Sequence, residues 1–374
     1  MKRHKVLWVL TGLAVVYILW LSYGLLTYKP YRVKPVAAGQ EIEGVYHLHT
    51  TFSDGHTDVD SLAKTAAAAG AQFLIVTDHG NPNLKSMASQ AWRSGVLVLA
   101  GSELSVSRGH LVALGFDLPT APFSQNFESA NREVRHQGGF TIIAHPYSKV
   151  AWTWSGSEDI SGIEIINGDS EVRYQIWRSL PWLPDLLFKP RLALLKLLHD
   201  PAQSLAKWDT LNATGRVYGY FSTDAHVLYG PLLSYLRVHI FLKQPLSADF
   251  DTARRQVFES LRTGKFYNAV DAAAQARGFR FWAVKKRRRI PMGSEVHVPL
   301  PVMLKIRAPY RFPKEVRLFR NGTLVFSSRK NLSFYTAKEL GTYRVEVTLT
   351  GKTALSKKVP WILSNPIFLR EEKR

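Results

Sequence analysis

His47-Leu48-His49 is followed within four residues by Ser53-Asp54-Gly55. Two imidazoles at positions i and i+2 of a strand share one face. The turn chemistry of Ser53-Asp54-Gly55 can return the Asp54 carboxylate to the same spot. Imidazoles with a carboxylate make Zn, Mn and Fe sites. A lone His-x-His pair reads more simply as a half-buried strand with hydrogen-bonded histidines. Five later motifs displace that reading: Thr77-Asp78-His79, Gly101-Ser102-Glu103, Gly109-His110, Ala144-His145-Pro146 and Asp224-Ala225-His226. Six of the chain's twelve histidines thus stand at the ends or entrances of apolar runs. There is no cysteine, which excludes disulfides and thiolate ligands and leaves His, Asp and Glu to hold any metal.

The elements that must position these residues alternate along the chain. Strand-like runs at 45–49, 73–77, 96–100, 111–115, 141–144, 162–166 and 218–222 are interspersed with helical patterns at 58–69 and 127–136, the first closed by Gly70. Polar residues gather at the C-terminal ends of the strands, where β/α barrels build their active sites. Residues 177–208, rich in Leu, Pro and Trp, read as a helical insertion near the mouth of the site. His136 and His199 lie in helical patterns, His239 and His297 in strand patterns, His4 beside the N-terminal apolar run and His56 beside the turn; all six are assigned structural roles.

The chain of 374 residues is long enough for two or three domains. Its excess of positive charge sits at the two ends. Residues 1–35 hold 6 Lys/Arg and no acid, residues 285–374 hold 21 against 6 Glu, and residues 36–284 hold 22 against 23. The expected division is therefore an N-terminal membrane anchor with its flanks (1–35), a catalytic domain (36–284) and a basic β domain (285–374). Residues 6–28 carry no charge, and at the helical rise this run spans about 35 Å. It reads as a retained transmembrane helix. Lys2, Arg3 and Lys5 before it favour a cytoplasmic N-terminus, placing a single-pass protein in the cell membrane with its catalytic domain on the periplasmic side. The C-terminal β-runs include an Asn321-Gly322 hairpin turn and a segment, 341–347, resembling the penultimate strand of an immunoglobulin-like sandwich, with Tyr343 at the corner position.

The ordered motifs resemble the polymerase and histidinol phosphatase (PHP) family of metal-dependent hydrolases over residues 44–280. Within it the chain is most similar to a branch with a C-terminal β domain, through Pro291–Glu295 and Ser364–Ile367; that branch includes carbamate hydrolases and predicted phosphoesterases. The resemblance implies a distorted (β/α)7 barrel with two or three divalent ions, Zn, Mn or Fe. His47, His49, Glu103 and Asp224 would hold the first and carry catalysis. Glu103, His110 and His145 would hold the second, and Asp54, His79 and His226 the third. Asp78 would orient a ligand, and Asn167 and Arg173, which follow a barrel strand, could touch substrate.

The chemistry expected is hydrolysis of a phosphoester by a hydroxide bridged between ions, the third ion taking up phosphoryl charge. Neither a Ser–His–Asp arrangement nor a Gly-rich phosphate loop is found. Carboxyl-ester or carbamate hydrolysis at the same centre, and nuclease activity, are the alternatives. The expected partners are a small-molecule or lipid-phosphate substrate and, for the basic β domain led by the run 285–289, an anionic membrane surface. Nucleic acid is not favoured, because no aromatic–basic interleaving is visible along the chain.

Overall fold

A computed structural model describes residues 2–27, 40–148, 150–156, 159–174, 183–285, 288–297, 299–309 and 312–371. The expected linker at 28–39 and the first part of the 177–208 insertion lie outside the described residues.

Among the described residues the barrel half contains eleven strands: β1 (Glu41–Leu48), β2 (Phe73–Val76), β3 (Ala91–Arg93), β4 (Val96–Ala100), β5 (Ser102–Val106), β6 (Gly109–Leu114), β7 (Phe140–Ile143), β8 (Gly162–Asn167), β9 (Tyr218–Ser222), β10 (Arg237–Phe241) and β11 (Phe266–Ala269). β1, β2 and β4 pair in parallel, as do β7, β8 and β9. The distortion lies in the antiparallel β5–β6–β7 stretch and in β10, which pairs antiparallel with β1. Two isolated parallel bridges link these groups, His79 with Glu103 and Leu48 with Ala225. Both seams fall at the C-terminal ends of the strands.

Residues alternate between two packed layers. Tyr46, Phe73, Ile75, Leu97, Leu99, Ile142 and Tyr220 belong to one buried cluster, while their strand neighbours Val45, Leu74, Val76 and Val98 belong to the other. The helix Val59–Ala68 starts where Asp58 accepts the Ser61 N–H at 2.9 Å. It ends before Gly70, whose φ of +79° is the left-handed cap conformation.

At the opposite end of the barrel, His239 is fully buried between carboxylates. Its Nε2 lies 3.0 Å from Asp271, and its Nδ1 lies 3.4 Å from Glu41 and 3.6 Å from Glu43. Arg277 and Arg280 face the same acids, so the group is a balanced ion network, as the structural assignment of His239 expected. Burial pushes the His239 imidazole down, but Asp271, Glu41 and Glu43 outweigh it and hold its pKa up at about 10. A pKa raised on folding gives stability that is fully present below about pH 6.5 and lost as pH rises through about 10. Denaturant unfolding from pH 6.5 to 10 should therefore show declining stability in the native chain and a flatter profile in His239→Gln. Parallel profiles would remove this role.

The C-terminal half holds β12 (Arg280–Lys285), β13 (Arg288–Pro291), β14 (Glu295–His297), β15 (Val302–Arg307), β16 (Lys314–Arg320), β17 (Thr323–Ser328), β18 (Leu332–Ala337), β19 (Gly341–Leu349), β20 (Ile362–Ser364) and β21 (Ile367–Arg370). The expected boundary at 284/285 falls inside β12. One sheet runs β13-β12-β15-β18; the other continues from β19 through β20 into barrel strand β11. This large β region is thus joined to the barrel through a shared sheet. Tyr343 Oη donates to Glu339 O at 2.7 Å, the bond back to upstream backbone that a corner tyrosine makes.

The transmembrane expectation is corrected. The segment Lys2–Thr27 is helical, but among the described residues no helix is long and apolar enough to cross a membrane. Its apolar run begins only after the charged residues Lys2, Arg3 and Lys5. Thr11, Gly12 and Tyr17 interrupt that run, and Lys196 Nζ lies 5.6 Å from the Trp20 ring centroid. The single-pass cell-membrane placement and the periplasmic orientation drawn from it fall with the span.

Candidate metal centre

His47 is re-aimed by its backbone. The β1–β2 register slips between Tyr46 and Leu48, and His47 itself has φ +65°. Without this bulge it would follow Val45 to the outer layer; with it, the imidazole turns inward above the barrel core. His49 follows on the same side, the two ring centroids 5.3 Å apart. His145 and Asp224 also have positive φ, +27° and +51°. Three candidate ligands therefore hold backbone conformations that cost free energy, as strained functional sites do.

Glu103 stands at the centre. Its Oε2 is 3.4 Å from His47 Nε2 and 3.3 Å from both His49 Nε2 and His79 Nδ1, and its Oε1 is 2.9 Å from His110 Nδ1 and His145 Nε2. Asp224 Oδ1 lies 3.3 Å from His47 Nε2 and 3.2 Å from His49 Nε2. Asp54 faces His49, His79 and His226 at 3.2, 3.6 and 3.3 Å. All nine expected ligand residues thus come together. Their ligand atoms form overlapping groups, each within 4.8 Å: His47, His49, Glu103 and Asp224; His49, Asp54, His79 and His226; and His79, Glu103 and His110. His145 touches both His110 and Glu103.

These groups fit divalent ions. His47 Nε2, His49 Nε2 and Asp224 Oδ1 are buried without a hydrogen-bond partner, and all three face one another. Buried polar atoms left in that state are costly unless something else binds them. The donors are all nitrogen and carboxylate oxygen, the set that Zn, Mn and Fe accept. Burial pushes the His47 imidazole down, yet Asp224, Glu164 and Glu103 outweigh it and hold it well above its ordinary value. Burial likewise raises the Glu103 carboxyl, and His47, His110 and His145 pull it well below. The cluster calls for positive charge, which protons or metal ions can provide.

Burial falls from the inside outward. The side chains of His47, His49, Glu103 and Asp224 are almost fully covered, whereas those of His79 and Asp54 are 32% and 53% exposed. The Asp54 group forms the rim. Gly55 closes its turn, and a Cβ there would lie 2.4 Å from His49 O. Asp78, expected to orient a ligand, fixes the intervening loop. It accepts from Thr50 N and Thr50 Oγ1 at 2.7 Å, from Ser53 Oγ at 2.6 Å, and from Ser86 Oγ.

The two expected substrate contacts fare differently. Asn167 is buried, donating to Glu164 at 2.8 Å and Asp224 at 3.0 Å and accepting from Ser170 N at 2.9 Å. Its amide is fully engaged, so it orients Asp224 and is not free for substrate. Arg173 is exposed and paired to Asp169 at 2.5 Å, near enough to the mouth to feel Asp224 and Asp54.

Sequence reasoning passed over Glu164, which is buried beneath the site. It binds His47 Nδ1 at 2.6 Å and accepts from His145 N at 2.9 Å, fixing the His47 tautomer as carboxylates behind metal-bound imidazoles do. A lone acid in the apolar run Gly162–Asn167 could have revealed it. His199, assigned a structural role, pairs with Glu171. Both line a cavity of about 250 Å³ that His145, Tyr147 and Ser148 also border.

A family model described as PHP domain matches residues 46–151. The uncharacterized protein MJ1587 of Methanocaldococcus jannaschii is 26% identical over 139 residues, which are 32% of this chain and 79% of that protein. A two-domain protein from Bacteroides vulgatus, described as containing a predicted PHP-like metal-dependent phosphoesterase, aligns at 14% identity and a TM-score of 0.43. That alignment covers 90% of this chain and 98% of the other. An amidohydrolase from Chromobacterium violaceum with bound sulfate and no metal aligns at 18% identity and a TM-score of 0.33, covering 49% and 87%.

Proposed function

We propose, from the premise that this chain carries a PHP domain, that it is a metal-dependent hydrolase cleaving phosphoesters of small molecules. One observation carries the reading: a buried ligand group and a half-exposed one, sharing His49 and adjoining at Glu103, open together at the strand ends. Bound there, divalent ions supply Lewis acidity and offset the charge that develops on a phosphoryl group. The chain's own residues set the geometry. Glu164 holds His47 and the His145 backbone, Asn167 holds Asp224, and Asp78 holds the loop that presents Asp54. Arg173, exposed and paired with Asp169, is a cation near the mouth suited to a second anionic group of the substrate.

Purified protein assayed with aryl phosphate and aryl carboxylate esters, alongside elemental analysis, tests this reading. Hydrolysis of the carboxylate esters alone would replace it with an esterase or carbamate hydrolase. Asp54→Ala gives a sharper comparison. Only a phosphoryl group carries the extra charge that the outer ligands are placed to offset. Phosphomonoester cleavage should therefore fall by about tenfold more than carboxyl-ester cleavage. Equal losses, or none, would reduce Ser53-Asp54-Gly55 to a turn.

A further inference from the structure

Two large clefts open at the other end of the barrel. One of about 630 Å³ lies along β10 and the helix Phe250–Arg262, and another of about 590 Å³ lies between β10 and the outer face of the sheet β13-β12-β15-β18. They share Phe241 and Leu242 and so lie side by side, two parts of one basic track. β1 separates it from the metal ligands by about 20 Å, counting its rise from Glu41 to His47.

The sheet wall has a consistent chemistry. Its cleft-facing side carries Arg280, Arg289, Lys305 and Arg307, and no Asp or Glu stands on its four strands. Phe281, Ala283, Leu304 and Ile306 pack inward, which turns their neighbours outward. Pairing sets Trp282 beside Lys305 and Lys305 beside Phe334, with Arg280 beside Arg307 in the next row. Arg289 lies 5.6 Å from the Trp282 ring centroid and Lys305 5.2 Å from that of Phe334, while Arg280, already paired with Glu41, lies 4.3 Å from that of Phe241. Phe334 is 50% exposed. The adjoining cleft adds Lys243, Arg254, Arg255, Arg262 and Lys265, with Glu259 its one acid.

Cations alone would suit any anionic surface; rings set between cations in a concave track suit fewer partners. A bilayer is a broad plane that cannot follow a cleft, and it does not call for rings seated against guanidinium groups. A flexible polyanion with a planar group on every unit satisfies both features. We propose that this track binds single-stranded nucleic acid, its phosphates along the Arg and Lys side chains and its bases stacked on Trp282 and Phe334. The inference does not depend on the reaction proposed for the metal centre.

The test is fluorescence anisotropy of the full chain with a labelled oligothymidylate of about 15 nucleotides, a length within known single-strand site sizes. A chelator in the buffer prevents cleavage. Binding should saturate, weaken steeply with salt, and exceed that of a duplex of equal length. Trp282→Ala and Phe334→Ala should each weaken it by about fivefold or more, while Trp282→Phe retains it. Each variant should turn over an aryl phosphate like the native chain, and the exposed Phe334 gives a readout even if Trp282→Ala fails to fold. Overturning results are equal affinity for duplex, no effect of Phe334→Ala, or binding to phosphatidylglycerol vesicles without binding to the oligonucleotide. The last would assign the basic face to lipid.

Discussion

Glu103→Ala should abolish metal-dependent hydrolysis, lowering turnover by about 10²-fold or more. No other side chain here approaches so many candidate ligands: His47, His49 and His79 face one carboxylate oxygen, His110 and His145 the other. Removing it takes away the acid shared between ligand groups and leaves five imidazoles around a vacated centre. His47→Ala and Asp224→Ala should also lose activity, since each removes an inner ligand. Glu103 is nevertheless a site residue on a short strand, and the barrel layers do not depend on it, so circular dichroism should report a folded chain. Elemental analysis of the same sample should show reduced metal content. Native-like turnover in folded Glu103→Ala would refute the assignment of Glu103 as a shared ligand.

Arg344→Ala should produce the largest loss of stability, about 3–5 kcal/mol as for other broken buried ion pairs. Its guanidinium, 4% exposed, binds Asp209 twice, at 2.8 and 2.7 Å, and Glu346 at 2.5 Å. Asp209 lies on the helix Ala202–Thr214 of the barrel half and Arg344 on β19, so this contact fastens the β region to the barrel. The Asp209 side chain is only 12% exposed, and without Arg344 its carboxylate loses the cation that binds it twice. Replacing both partners, as in Arg344→Met with Asp209→Leu, should recover much of the loss, because the penalty belongs mainly to the charge left behind. Denaturant unfolding measures both variants, and a loss below about 1 kcal/mol in Arg344→Ala would exclude the fastening role.

The candidate ligand residues were legible because chemistry restricts them to few types and strand ends give them order. His47, His49, Asp54, His79, Glu103, His110, His145, Asp224 and His226 were all named from motif order, and all nine meet in space. Glu164 was not: a lone acid in an apolar run marks it as unusual, but that it turns beneath the site depends on a second register slip, between Glu164 and Ile166 of β8. Asn167 was taken for a substrate contact because a polar residue at a strand end looks available. Only the fold shows its amide already spent on Glu164, Asp224 and Ser170.

The N-terminal run shows the opposite error. Its apolarity is local, and composition alone made it a membrane span, whereas the described helix falls short of one. The interleaving of rings and cations on the basic face was hidden for a related reason. Trp282, Lys305 and Phe334 are far apart in the chain, and their alternation exists only across strands. What the sequence by itself determined was therefore the chemistry: a cysteine-free His/Asp/Glu centre at the ends of alternating strands. What only the tertiary structure decided was which residues face inward. Bulges, register and cross-strand pairing are set by long-range packing, and a shift of one residue sends a side chain to the other face.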